Sequence, residues 1–226
     1  MIKKNYQWIL GLLITVLLTV GLFYLYVSTK SPFGPLLDME FQKGIKTFDS
    51  KFTDHFPREI RSNKSSYSIS EDISYSHPGI WLKINMDDDS LHNMVDYLTQ
   101  NAIAKYSPFD TCLLIIDQHL TEKNQLNYNK ENEPGRIVAI RDKPCQRNKY
   151  PIPNFWRGIF KETNETSVGL EKDYTLFVLE SEKGMFMDKD KLPNGKYTPK
   201  GWEHGYSKGI AININTETII YWFDIW

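Results

Sequence analysis

From Trp8 to Val27 the chain shows no polar period: WILGLLITVLLTVGLFYLYV runs for twenty residues without a charge. A helix rises about 1.5 Å per residue, so this stretch reaches roughly 30 Å, the depth of a bilayer's hydrocarbon core. A soluble helix keeps one polar face, and this segment keeps none. Tyr6 and Trp8 at one end, with Tyr24 and Tyr26 at the other, fall where interfacial aromatic belts lie. The run is longer than the about 7–15 residues of a cleavable signal core. No clean cleavage site follows it, since a cut after Ser31 would be followed by Pro32. The pattern therefore predicts an uncleaved transmembrane anchor over 8–27 in contact with the lipid bilayer. Residues 1–7 become a cytoplasmic tail, 28–35 a spacer and 36–226 one extracytoplasmic domain. Lys3 and Lys4 precede the span and only Lys30 closely follows it, which orients the N-terminus inwards.

Beyond the spacer the period changes to that of amphipathic elements. Leu37, Phe41, Ile45, Phe48 and Phe52 recur every three or four residues and predict a helix over about 36–54, closed by Pro57. Residues 57–78 are polar, with room for one short edge strand. Ile80, Leu82, Ile84 and Met86 alternate with Trp81, Lys83 and Asn85, the signature of a half-buried strand. Asp87, Asp88 and Asp89 then open a helix carried by Leu91, Met94, Val95, Leu98 and Ala102 to about Tyr106. Carboxylates are favoured at a helix start, so these aspartates read as caps before they read as a calcium site.

The second half of the chain reads as strands. Thr111–Ile116 is apolar on both faces and predicts a central strand. Another strand is expected at Arg136–Arg141, after the turn Glu133-Pro134-Gly135, and another at Tyr174–Leu179. A closing hairpin places Ile210, Ile212 and Ile214 against Thr218–Trp226, with a turn near Asn215 to Glu217. In its last strand Ile219, Tyr221, Phe223 and Ile225 share one face and Ile220, Trp222 and Trp226 the other, so this strand belongs inside the sheet. The expected domain is α+β, with about two helices and a largely antiparallel sheet of roughly six to eight strands.

Charge narrows the function. The chain has 27 basic and 28 acidic residues, and the first thirty residues hold three of the basic ones and none of the acids. The exported part is therefore slightly acidic, which argues against nucleic acid as a partner. No cofactor motif is present. The run TCLLII around Cys112 reads most simply as placing a small thiol in the core. The alternative is a Cys112–Cys145 disulfide, which an oxidising compartment permits.

Candidate chemistry is sparse. Gly205-Tyr206-Ser207-Lys208-Gly209 fits the G-x-S-x-G nucleophile pattern, but a strand rather than a helix follows it, and no histidine comes after His204. The glycines are expected to serve a turn before the hairpin. The histidines are His55, His77, His92, His119 and His204, and none has the close spacing of a metal site. Asp117 with His119, and Glu203 with His204, are the acid–histidine neighbours that would supply a general base. The segment from Arg141 to Lys161 sets six basic residues against Asp142 and interleaves them with aromatic ones. Arg147, Lys149, Tyr150, Phe155, Trp156 and Arg157 are its candidate binding residues, since arginine and aromatics are enriched at interfaces. The expected function is a membrane-tethered binding domain of the cell envelope, contacting another envelope protein or polymer. The alternative is an anchored hydrolase of an envelope polymer using one of the acid–histidine pairs.

Overall fold

A computed structural model describes residues 15–20, 34–60, 65–70, 77–116, 143–156, 158–192 and 198–226. Besides the helical residues 15–20 and short 3-10 turns, three α-helices lie among them: α1 Gly34–Ile45, α2 Ser50–Thr53 and α3 Asp88–Asn101. The strands are β1 Ser65–Ser70, β2 Gly79–Asn85, β3 Ala104–Tyr106, β4 Ile115–Ile116, β5 Ile152–Pro153, β6 Tyr174–Lys183, β7 Gly205–Asn213 and β8 Thr218–Ile225. Six of them form one antiparallel sheet in the order β1-β2-β8-β7-β6-β3. The domain is thus α+β with few helices. Residues 15–20 are helical and exposed, and the rest of the Trp8–Val27 stretch lies outside the described residues. Among the described residues no helix is long and apolar enough to cross a membrane.

The period-2 alternation of the strands sends side chains into two separate cores. On one face Ile80, Leu82, Phe177, Ile210, Ile212, Ile219, Tyr221 and Phe223 pack under the helices, meeting Phe41, Phe48, Phe52, Leu91 and Leu98. On the other face Trp81, Leu176, Val178, Ala211, Ile220 and Trp222 are covered by irregular chain that supplies Leu113, Ile115, Ile152, Phe155, Phe160 and Leu170. The sheet is therefore buried on both sides, which is why β8 is apolar on both faces.

Several expectations change. The helix expected over 36–54 is two helices. α1 stops at Ile45, and Asp49 restarts the chain by accepting from Lys51 N. Gly44, a poor helix former, sits against the end of the Ile69 side chain, which would have to shift to admit a Cβ. The phenylalanine stripe stays buried across the break. α3 opens with Asp87 accepting from Ser90 N, as capping requires, but ends at Asn101 because 104–106 pairs with β6. Thr111–Ile116 is not a central strand. Only Ile115 and Ile116 are extended, paired parallel to Ile152 and Pro153 outside the main sheet. This run is apolar on both sides because it is sandwiched as a covering layer, which leaves the same sequence trace as a central strand. Arg136–Arg141 falls outside the described residues. Cys112 is not a free core thiol: it is bonded to Cys145.

Gly205–Gly209 is likewise no turn but the first half of β7. Its glycines answer to close packing. A Cβ on Gly209 would lie 2.3 Å from both Phe177 O and Trp222 Cζ2. Gly209→Ala is expected to cost about 1–3 kcal/mol of stability, because a backbone oxygen and a fully buried indole have nowhere to retreat. A chemical-denaturation midpoint equal to that of the parent would show that the strand pair can spread.

Candidate functional site

The helices do not cover their face of the sheet completely. Between α3 and the α2 end lies an open groove of about 660 Å³. Its walls are Met86, Met94, Leu98, Leu179, Ile210 and Tyr221, with the exposed ring of Tyr97 on its lip. One end is polar and is built from Asp54, His55, Glu180 and Lys208.

Lys208 sits on β7 two residues before Ile210, so strand alternation points its stem into the same apolar face. Its side chain is only 6 % exposed. The ammonium has three N–H groups and uses all three: it donates to Lys51 O at 2.6 Å, to Asp54 Oδ1 at 2.9 Å and to Glu180 Oε2 at 2.8 Å. The carbonyl is one that a four-residue helix leaves without an intrahelical partner. Asp54 is the C-cap of that helix. Burial opposes the charge on Lys208, but the hydrogen bonds to Glu180 and Asp54 outweigh it and hold the ammonium above its ordinary range.

Glu180 reaches the groove through an irregularity. The β6–β7 register shifts between Val178 and Glu180, so consecutive Leu179 and Glu180 both border the groove. A bulge re-aims a side chain in this way. The carboxylate also accepts from the Tyr206 hydroxyl. Burial raises its pKa, but the bonds from Lys208 and Tyr206 bring the net shift below the usual value. Burial and the Glu180 carboxylate push the Tyr206 hydroxyl well up. Asp54 and Glu180 remain 63 % and 50 % exposed, so both keep lone pairs accessible.

His55 completes the cluster. Its Nε2 lies 2.9 Å from Trp222 O, and a carbonyl only accepts, so Nε2 carries the proton. Nδ1 is then a bare acceptor. It is buried without a hydrogen-bond partner and lies 3.9 Å from Asp54 Oδ1. Burial lowers the His55 pKa from 6.5 to about 4, against the Trp222 hydrogen bond, with Lys208 adding to the lowering.

That shift predicts a pH dependence. Between about 4 and 6.5 the unfolded chain holds the His55 proton and the folded one does not. Stability therefore rises with pH through this window, is fully present above it and is lost as the pH falls. The expected loss is about 3 kcal/mol at one pKa unit per 1.36 kcal/mol. The depressed Glu180 pushes in the same direction at lower pH. Denaturation midpoints measured across this range should slope for the parent and flatten for His55→Gln, which keeps an N–H for the Trp222 carbonyl. Equal slopes would remove His55 as the source.

The residues singled out from sequence are scattered. Asp117 and His119 lie outside the described residues. Glu203 is exposed, and its carboxylate accepts from Gly201 N at 2.9 Å, which lowers its pKa. His204 Nδ1 is buried without a hydrogen-bond partner. Neither residue lines the groove. In the basic–aromatic segment, Phe155 is fully buried between Trp81 and Trp222, which removes it from any binding surface. Lys149 is paired with Asp110 at 2.9 Å and lies over the Tyr106 ring. Trp156 is half-buried under Lys161. Arg147 and Tyr150 are exposed, and the Arg157 side chain lies outside what is described. Ser207 is buried in β7, donates to Pro151 O and accepts from Trp222 Nε1, so it is no exposed nucleophile. Among the described residues no group of three or more His, Cys, Asp or Glu is placed to hold a metal ion.

Sequence reading passed over Asp54, Glu180 and Lys208. The signal for Lys208 was available: a lysine in phase with Ile210 and Ile212 has to find buried partners. Nothing local marks Asp54 or Glu180, which lie far from Lys208 in the chain. No family model, curated protein or solved structure matches this chain.

Proposed function

We propose that this chain is a membrane-anchored, non-catalytic binding domain displayed on the outer side of the membrane, and that its ligand is an apolar molecule seated in the groove beside α3. The observation that carries this is the groove itself, about 660 Å³ of apolar wall ending in a few convergent polar groups. Volumes of about 300–1,000 Å³ with that composition are typical of small-ligand sites. Met86 and Met94 add adaptable walls, since thioether side chains repack at little cost. The Cys112–Cys145 bond supports exposure to an oxidising compartment, where disulfides persist. The anchor over 8–27 rests on its uninterrupted apolar run. An anchor confines the site to the membrane surface, where apolar ligands concentrate.

Hydrolysis is favoured less. A general base works best with a pKa near the operating pH, and His55 at about 4 is too weak. Lys208 and Tyr206 are shifted upwards and hold their protons at neutral pH.

The test uses the full chain in nanodiscs with methyl-labelled methionine and decanol as a neutral probe. Met86 and Met94 should shift on titration while the exposed Met39 and Met185 do not. Met94→Trp, which fills the groove from α3, should weaken decanol about tenfold, equivalent to about 1.4 kcal/mol. If Met86 does not respond to decanol at saturation, the groove is not a ligand site.

A further inference from the structure

Resting on that reading, we infer that the groove selects a ligand with one aliphatic or aromatic body and a single cationic head, a primary ammonium, and turns away fatty-acid carboxylates. The selection follows from counting valences at the polar end. Lys208 would be the natural partner for a ligand carboxylate, but its three N–H groups are spent on Lys51 O, Asp54 and Glu180. An anion arriving there would have to displace one of these acceptors from a nearly buried ammonium, and the loss of a buried partner is costly.

What Asp54 and Glu180 leave open is acceptor in kind. Asp54 and Glu180 line the groove, are each at least half exposed and keep lone pairs. His55 Nδ1 is a buried acceptor with no hydrogen-bond partner. With His55 neutral, the cluster of Asp54, Glu180 and Lys208 carries a net charge of −1. A bare buried acceptor costs free energy until a donor reaches it. An ammonium brings both the charge and the N–H groups that the two exposed carboxylates favour.

The floor of the groove decides the body of the ligand. Leu179, Ile210 and Tyr221 belong to β6, β7 and β8; β7 and β8 are hydrogen-bonded on both sides within the sheet, whereas β3 pairs with β6 only as far as Val178. Under Ile210 and Tyr221 no strand edge is left for a peptide backbone, whose polar groups would be stranded against apolar walls. A hydrocarbon body makes no such demand.

The experiment compares decylammonium, decanol and decanoate by the Met86 and Met94 methyl shifts, using the full chain in nanodiscs of a zwitterionic lipid at neutral pH. Decylammonium is expected to bind at least tenfold tighter than decanoate, with decanol between them. Asp54→Asn, at the most exposed member of the cluster, should reduce that ratio at least threefold with the fold intact. The double variant Asp54→Asn with Glu180→Gln should reverse it. If the double variant fails to fold, the single one carries the test. Decanoate binding as tightly as decylammonium, or a ratio unchanged in Asp54→Asn, overturns the inference while leaving the groove a ligand site. Failure of all three probes removes the ligand site and the inference together.

Discussion

Trp222→Ala is expected to lower the unfolding free energy by about 3–5 kcal/mol, the range for deleting a buried tryptophan. Trp222 is fully buried and stands on β8 between β2 and β7. Its ring meets Phe155 edge-on at 5.7 Å and lies over Gly209, where a Cβ would collide with it. Its Nε1 donates to Ser207 Oγ, which donates in turn to Pro151 O, so the indole ties the sheet to the covering layer. The site cannot collapse around the gap, because Gly209 contributes no side chain to move in. Domains of this kind are stable by about 5–15 kcal/mol, so the loss takes a large share of the total. Urea denaturation should show a lower midpoint with an unchanged slope. A cost under about 1 kcal/mol would mean that the second face is not packed as described, since even large-to-small changes that relax well exceed that figure.

The sheet was legible because alternation is a local property. Ile80 to Met86, Tyr174 to Leu179 and Thr218 to Trp226 each declare two faces, and the structure uses both. The misreadings share one cause. Periodicity reports burial, not the partner. Leu113–Ile116 is buried on both sides in a covering layer, only its last two residues extended, and so resembles an inner strand. Gly205 and Gly209 are glycines because indole rings and neighbouring carbonyls crowd them, although glycine usually marks a turn. The helix break after Ile45 leaves the phenylalanine spacing undisturbed, so hydrophobic pattern alone does not show it.

The groove was less legible because its polar end is assembled across long sequence distances. Asp54 follows α2, Glu180 is turned by a bulge in β6, and Lys208 lies in the interior strand β7. A bulge has no reliable sequence mark, so the side to which Glu180 points follows only from the register. The basic–aromatic segment drew attention by composition. The fold spends much of it internally, with Phe155 and Phe160 in the core and Lys149 on Asp110. Composition identifies what a segment carries, whereas burial decides which residues still face a ligand.

Replacing both cysteines, as Cys112→Ser with Cys145→Ser, is expected to lower stability by about 3–4 kcal/mol, the chain-entropy value for a loop of this size. The bond joins residues 33 apart and fastens the covering layer next to Leu113 and Gln146. Without it, the layer is held there by the burial of Leu113, Ile115 and Ile152, the two-residue pairing of β4 with β5, Gln146 Nε2 donating to Leu113 O, Lys143 Nζ donating to Thr111 O and the Lys149–Asp110 pair. Amide exchange should therefore speed up at Ile152 and Asn154, which donate to Leu114 O and Ile116 O. It should change little in β7 and β8, whose ladder is continuous. Reductant should lower the parent's denaturation midpoint to that of the double variant and leave the variant unmoved. The bridge and the groove lie on opposite faces of the sheet, so decanol should shift the Met86 methyl with the same affinity in both proteins wherever both are folded. A midpoint insensitive to reductant would mean that the bond constrains nothing the folded layer does not already hold. A decanol affinity that fell with the bond would mean that the two faces are coupled through the sheet.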